Sequence, residues 1–229
     1  MNDKTTILTL IQQALKTPTK AETAELRKKI TDSDKPLADR INAVLPKTGS
    51  TFEENIALFK KNADELKADF YPVKSLDEII ENLKTIAETE GWKKIATHGN
   101  GDLKTISDRL GLPAIYTDKK YDVHELEKCD ASITLCDALV AQTGSVIVTS
   151  RTNKGRAISV LPPHHIVIAF KDQLIPSLPE AFAFLKKKYG GDLPSMASII
   201  TGPSRTGDIE RILVLGAHGP KKLTIYLVI

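Results

Sequence analysis

The residues best suited to chemistry lie near the end of the chain. Thr201-Gly-Pro-Ser-Arg-Thr-Gly-Asp-Ile-Glu210 is followed, after a short gap, by Gly216-Ala-His-Gly-Pro220. Arg205 is a planar cation whose fork of donors matches a carboxylate or a phosphate. Ser204 and Thr206 add hydroxyls, and Gly202 and Gly207 permit tight turns. His218 lies between Gly216 and Gly219, so a second turn presents an imidazole, a side chain suited to proton transfer. Thr201, Gly202, Ser204, Arg205 and Asp208 are expected to form one wall of an anion cradle. His218, with Gly219 beside it, is the candidate for acid or base work. The same run also reads as turn and cap, because Ser, Thr and Asp ahead of Ile-Glu suit a helix N-cap.

Three other stretches carry polar groups at element ends. Ala141-Gln-Thr-Gly-Ser-Val146 places Gln142, Thr143 and Ser145, with Gly144 among them, ahead of an apolar strand. They suit hydrogen bonds to a ligand, or a helix-to-strand turn. Leu161-Pro-Pro-His-His165 enters another strand. Successive strand side chains point to opposite faces, so His164 and His165 do not share a metal. His165 is taken as a further wall of the cradle, against the alternative of a hydrogen-bonded core histidine. His98-Gly-Asn-Gly-Asp102 stands between a strand and a helix, where backbone amides suit a phosphate, although a glycine turn of structural origin is the favoured reading. It is neither GxGxxG nor a P-loop. The sequence holds no HExxH, zinc spacing, GxSxG elbow or EF-hand loop, and no metal site is expected.

The elements that must position these groups follow from periodicity. Ile7, Leu8, Leu10, Ile11 and Leu15 give a helical face, and residues 17–50 are polar and broken by Pro and Gly. Thr51-Phe-Glu-Glu54 and Ser75-Leu-Asp-Glu78 are capping boxes, the second opening a helix that Gly91 ends. Strands are expected at 70–73, 94–97, 114–116, 131–135, 145–149, 166–170, 197–201 and 223–228. Helices are expected at 103–110 and 178–189, with a short helical turn at 137–141. Alternating strands and helices predict an α/β fold with a mostly parallel sheet flanked by helices. The run from 135 to 168 has little helix, which leaves room for a small antiparallel part. Residues 1–68 read as an N-terminal helical extension and 69–229 as the α/β domain.

Composition excludes several classes. At 229 residues and 41% hydrophobic content, the chain suits one domain, or a domain with an appendage. It has two cysteines, whereas iron–sulfur clusters are held by about four thiolates. Cys129 and Cys136 are therefore expected to be buried thiols. No apolar run approaches the roughly 20 residues of a membrane span, and the N-terminus lacks a signal-peptide pattern. A cytoplasmic protein without membrane association is expected. Residues 151–229 hold 11 Lys and Arg against 5 Asp and Glu, while residues 1–150 hold 21 against 24. The C-terminal part therefore favours an anionic ligand. One Trp and few exposed-looking aromatics argue against nucleic acid.

Across about residues 70–229 the sequence resembles the LUD-domain family, in its lactate-utilization protein C (LutC/YkgG) branch. The stretches that carry the resemblance are Asp137-Ala-Leu-Val-Ala-Gln-Thr-Gly144, Leu161-Pro-Pro-His-His-Ile166 and the two C-terminal turns. The resemblance implies a NagB/RpiA/CoA-transferase-like fold. It implies a part in L-lactate oxidation to pyruvate beside LutA/LutB-like partners that hold the iron–sulfur clusters, with no cofactor in this chain. The family commonly has an acidic residue before Thr-Gly, where this chain has Gln142, and an amide is neither a carboxylate base nor an acyl-accepting glutamate. Two other readings stand beside this one. The chain fits a non-catalytic assembly or regulatory subunit, or an isomerase- or transferase-like enzyme acting on a phosphorylated or CoA-linked substrate.

Overall fold

The computed structural model describes residues 46–99, 101–206, 214–216 and 218–229. The helices expected before residue 46, and Asp208 with its neighbours, lie outside the described residues. Lys47–Ile229 forms one compact unit. It includes helix α1 (Phe52–Glu65), which the sequence grouped with the N-terminal extension. Thr51 caps α1 through the amide of Glu54, whose carboxylate accepts from the Thr51 amide in return.

After strand β1 (Asp69–Val73) comes helix α2 (Leu76–Glu90), capped by Ser75 and closed by Gly91 at φ +68°. The chain continues through β2 (Ile95–Thr97), α3 (Gly101–Leu110), β3 (Ala114–Tyr116), a single turn α4 (Val123–Leu126) and β4 (Ala131–Leu135). Strands β5 (Ala138–Val140) and β6 (Ser145–Thr149) form a hairpin around a 3₁₀ turn at Ala141–Thr143. This corrects the helical turn expected at 137–141. Then follow β7 (His164–Phe170), β8 (Leu174–Ile175), α5 (Leu178–Tyr189) and β9 (Ala197–Ile200). The short pair β10 (Arg205–Thr206) and β11 (Val214–Leu215) precedes β12 (Lys222–Val228).

The large sheet has the order β1-β12-β7-β4-β2-β3, and every pairing in it is parallel. A second sheet, β8-β5-β6-β9, is mostly antiparallel. One face of the large sheet buries Ile133, Ile166, Ile168 and Tyr226 against Ile79, Ile80 and Leu83 of α2 and Leu103 and Ile106 of α3. Fully burying an Ile or Leu contributes about 1.5–3 kcal/mol. The opposite face packs Val167, Ala169, Ile225 and Leu227 against Phe59 and Ala63 of α1 and against Leu139, Val146 and Val148 of the small sheet. The alternate residues Ala138, Val140 and Ile147 face Ala181 and Leu185 of α5. Strands covered on both faces read as the unbroken apolar runs seen in β5 and β6.

Candidate functional site

The two C-terminal turns close on each other through the backbone. The Ser204 amide donates to the Pro220 carbonyl at 2.8 Å, and the Gly216 amide donates to the Ser204 carbonyl at 3.0 Å. Gly219 lies against Ser204, where an added Cβ would stand 3.2 Å from the serine Cβ. Gly202 has φ +89° and passes over the end of α1, and a Cβ there would meet the Leu66 carbonyl oxygen at 2.9 Å. The amides of Lys221 and Lys222 both donate to Pro163, at 2.7 and 3.1 Å, which fastens the second turn to the entry of β7. The pair of turns therefore follows β9 of the small sheet and leads into the amino end of β12. The chain changes sheets between these strands.

Arg205 and His218 are both exposed on these turns. Among the described residues, Arg205 has no carboxylate partner.

Gln142, Thr143 and Gly144 join the turns from the other side. Asn62 of α1 donates to the carbonyls of Ala141 and Gln142 at 2.8 and 3.1 Å. Gly144 has φ +61°, and a Cβ there would sit 2.8 Å from Asn62 Cβ. The Gln142 side-chain oxygen accepts from the Leu178 amide at 3.2 Å, at the first residue of α5. An amide oxygen thus satisfies one of the orphan donors that begin a helix. Ser145 Oγ and Thr201 Oγ1 are 2.8 Å apart and link this strip to the first turn. Thr143 Oγ1 is buried without a hydrogen-bond partner. A strip of contacts thereby runs from the buried Gln142 and Ser145 through Thr201 and Gly202 to Ser204 and Gly219.

His165 was expected as a wall of the cradle and is instead enclosed in the sheet, with no exposed surface. Its Nε2 lies 2.9 Å from Thr134 Oγ1, while its Nδ1 and the nearby Ser132 hydroxyl have no partner. Burial drives this imidazole down to about 3, so it carries no positive charge toward an anion. The His98–Asp102 loop also departs from the phosphate reading. The Gly99 amide donates to Asp118 at 2.6 Å, which gives that donor to a carboxylate of the chain itself.

Sequence reasoning missed Asp137. It is fully buried and accepts from Lys188 Nζ at 2.7 Å, Tyr189 Oη at 2.5 Å and Thr152 Oγ1 at 2.7 Å. Burial pushes its carboxyl up, but these three donors outweigh burial and hold it below the usual carboxylate range. Tyr189 and Thr149, bonded to each other at 3.1 Å, carry the network to a mostly apolar cleft of about 400 Å³ lined also by Phe182, Leu185 and Leu193. A buried aspartate opening a strand was the available signal, since such a charge requires partners.

Cys129 and Cys136 are free and buried. Burial pushes the Cys129 thiol up to about 11 and raises Cys136 further. Among the described residues, no three His, Cys, Asp or Glu side chains group to hold a metal ion, and no helix is long and apolar enough to cross a membrane.

Comparison with known proteins places this architecture. The LUD domain model matches residues 56–228. Lactate utilization protein C of Shouchella clausii is 31% identical over 188 residues, which cover 77% of this chain and 80% of that protein. Lactate utilization protein C of a Geobacillus species is 33% identical over 157 residues, covering 59% of this chain and 65% of the relative. The matched stretch thus spans just under two thirds of the Geobacillus protein. A crystal structure of a DUF162 family protein from Deinococcus radiodurans superposes with a TM-score of 0.61 at 20% identity, over 79% of this chain and 99% of that one. That likeness concerns the fold. The matches in sequence, spanning both sheets and the turns, carry the further conclusion that the chain belongs to the LUD-domain family.

Proposed function

We propose that this protein is a LutC-like component of lactate utilization that supports L-lactate oxidation to pyruvate beside iron–sulfur partner proteins. The observation that carries this reading is the match to proteins named lactate utilization protein C, over 77% of the chain in one case. Its two cysteines fall short of the roughly four thiolates that hold a cluster, so the clusters belong to LutA/LutB-like partners in this reading.

Within that role, the paired C-terminal turns bind a small anionic ligand. Arg205 supplies the charge, Ser204 and Thr201 supply hydroxyls, and His218 is the group positioned to exchange a proton. Asp208 belongs to the same wall by sequence. Support comes from the backbone clasp between Ser204 and Pro220, which holds the glycine-rich backbone in place beneath an exposed arginine. A preformed backbone cradle lowers the ordering cost of binding.

Lactate-dependent dye reduction tests the role. The expected result is no turnover with this chain alone, and activity with purified iron–sulfur partners that falls when this chain is withheld. Turnover by the chain alone, or full activity of the partners without it, would refute the reading.

A further inference from the structure

A cleft of about 250 Å³ opens at the amino-terminal edge of the large sheet, beside but distinct from the Arg205 turn. His164 and Thr224 form its floor, and they are only 4% and 1% exposed. His164 Nδ1 lies 3.1 Å from Glu90 Oε2, and its Nε2 lies 2.9 Å from Thr224 Oγ1. Nδ1 donates to the carboxylate, and the threonine hydroxyl beside Nε2 also donates to Asp69 at 3.4 Å. Trp92 donates to the same Glu90 oxygen at 3.0 Å and meets the imidazole edge-on, with ring centroids 5.4 Å apart. Lys222 donates to the other Glu90 oxygen at 2.7 Å. The ring is therefore locked in one orientation beneath an open cleft.

The rim is cationic. Lys67 and Lys221 line the cleft and, among the described residues, have no carboxylate partner. Lys67 follows the end of α1 in the left-handed region, at φ 64°. The Lys221 stem lies across Gly216, where any Cβ would collide with it. With Lys222 the cleft holds three ammonium groups against two carboxylates, Asp69 and Glu90. Burial holds His164 below its ordinary range, so it leaves this balance positive without adding to it. A partly enclosed hollow with a net positive rim suits a small oxyanion.

We propose that this cleft binds a small oxyanion, a short carboxylate or a phosphate group, held by Lys67 and Lys221 over the His164–Thr224 floor. The proposal does not depend on the lactate reading. The test titrates the full chain with inorganic phosphate and, separately, with acetate, following the imidazole nitrogen signals of His164, which are assigned by their loss in His164→Gln. The expected result is a saturable shift with at least one probe, the responding probe identifying the oxyanion class. The Lys67→Ala/Lys221→Ala variant should weaken it roughly five-fold or more, while the remote Lys104→Ala should stay within about two-fold. Saturation with neither probe would overturn the proposal. So would a response unaltered in the double lysine variant, or a loss in Lys104→Ala equal to the one in that variant.

Discussion

Lys188 places its ammonium 2.7 Å from Asp137, a carboxylate with no exposed surface, across the junction of α5 and the small sheet. The pair stands on three donors at once, so the two directions of change differ. Asp137→Ala takes the acceptor from the Tyr189 and Thr152 hydroxyls and is expected to cost about 1–3 kcal/mol. Asp137→Asn keeps the shape and should cost less. The folded carboxyl titrates below its unfolded value, so its contribution is present above about pH 3.8 and is lost on further acidification. Urea melts at pH 7 and pH 3 should show the gap between wild type and Asp137→Asn narrowing at the lower pH.

His165 responds to acid over a different window. Its folded value of about 3 lies below the ordinary 6.5, so the stability it contributes is intact above pH 6.5 and declines as pH falls toward 3. His165→Gln has no such proton to take up. Between pH 6.5 and 4.5 the wild type should lose about 2 kcal/mol more than the variant, as read from urea unfolding.

Two glycines with similar backbone angles should differ in their tolerance of alanine. Gly91 has open space where a Cβ would go, so only its left-handed conformation matters, at about 1 kcal/mol. Gly144 has in addition the Asn62 Cβ and the Ala63 amide within 3 Å of that position. Thermal melts should place Gly144→Ala well below Gly91→Ala.

Arg205→Ala removes an exposed side chain without a carboxylate partner among the described residues, so the fold should hold within about 0.5 kcal/mol. Calorimetry with lactate or pyruvate should show at least roughly five-fold weaker binding. Unchanged affinity in the folded variant would remove the anion role from the turns.

Local signals carried much of this architecture. Ser75 and Gly91 delimit α2 as their types require, and the expected helix at 178–189 is the observed α5. Ala138–Val140 was misjudged because its apolar run is too short to show a period. Its pairing with β6 and β8 is a tertiary decision. The split of His164 and His165 between two faces was legible from strand geometry alone. The partners were not. Glu90 meets His164 across 74 residues and Lys188 meets Asp137 across 51, and spacing along the chain does not encode such distances. The turns were legible as glycine-bounded, yet the clasp between Ser204 and Pro220 is visible only in space.

Helix α1 touches both halves of the candidate strip, Asn62 reaching the carbonyls before Gly144 and Leu66 supporting Gly202. These contacts join positions about 80 and more than 130 residues apart, and closing such long loops costs entropy before any contact rewards it. A chain shortened past this helix would lose the one element that the Gly144 and Gly202 segments touch in common among the described residues, along with the Phe59 and Ala63 cover on the parallel sheet.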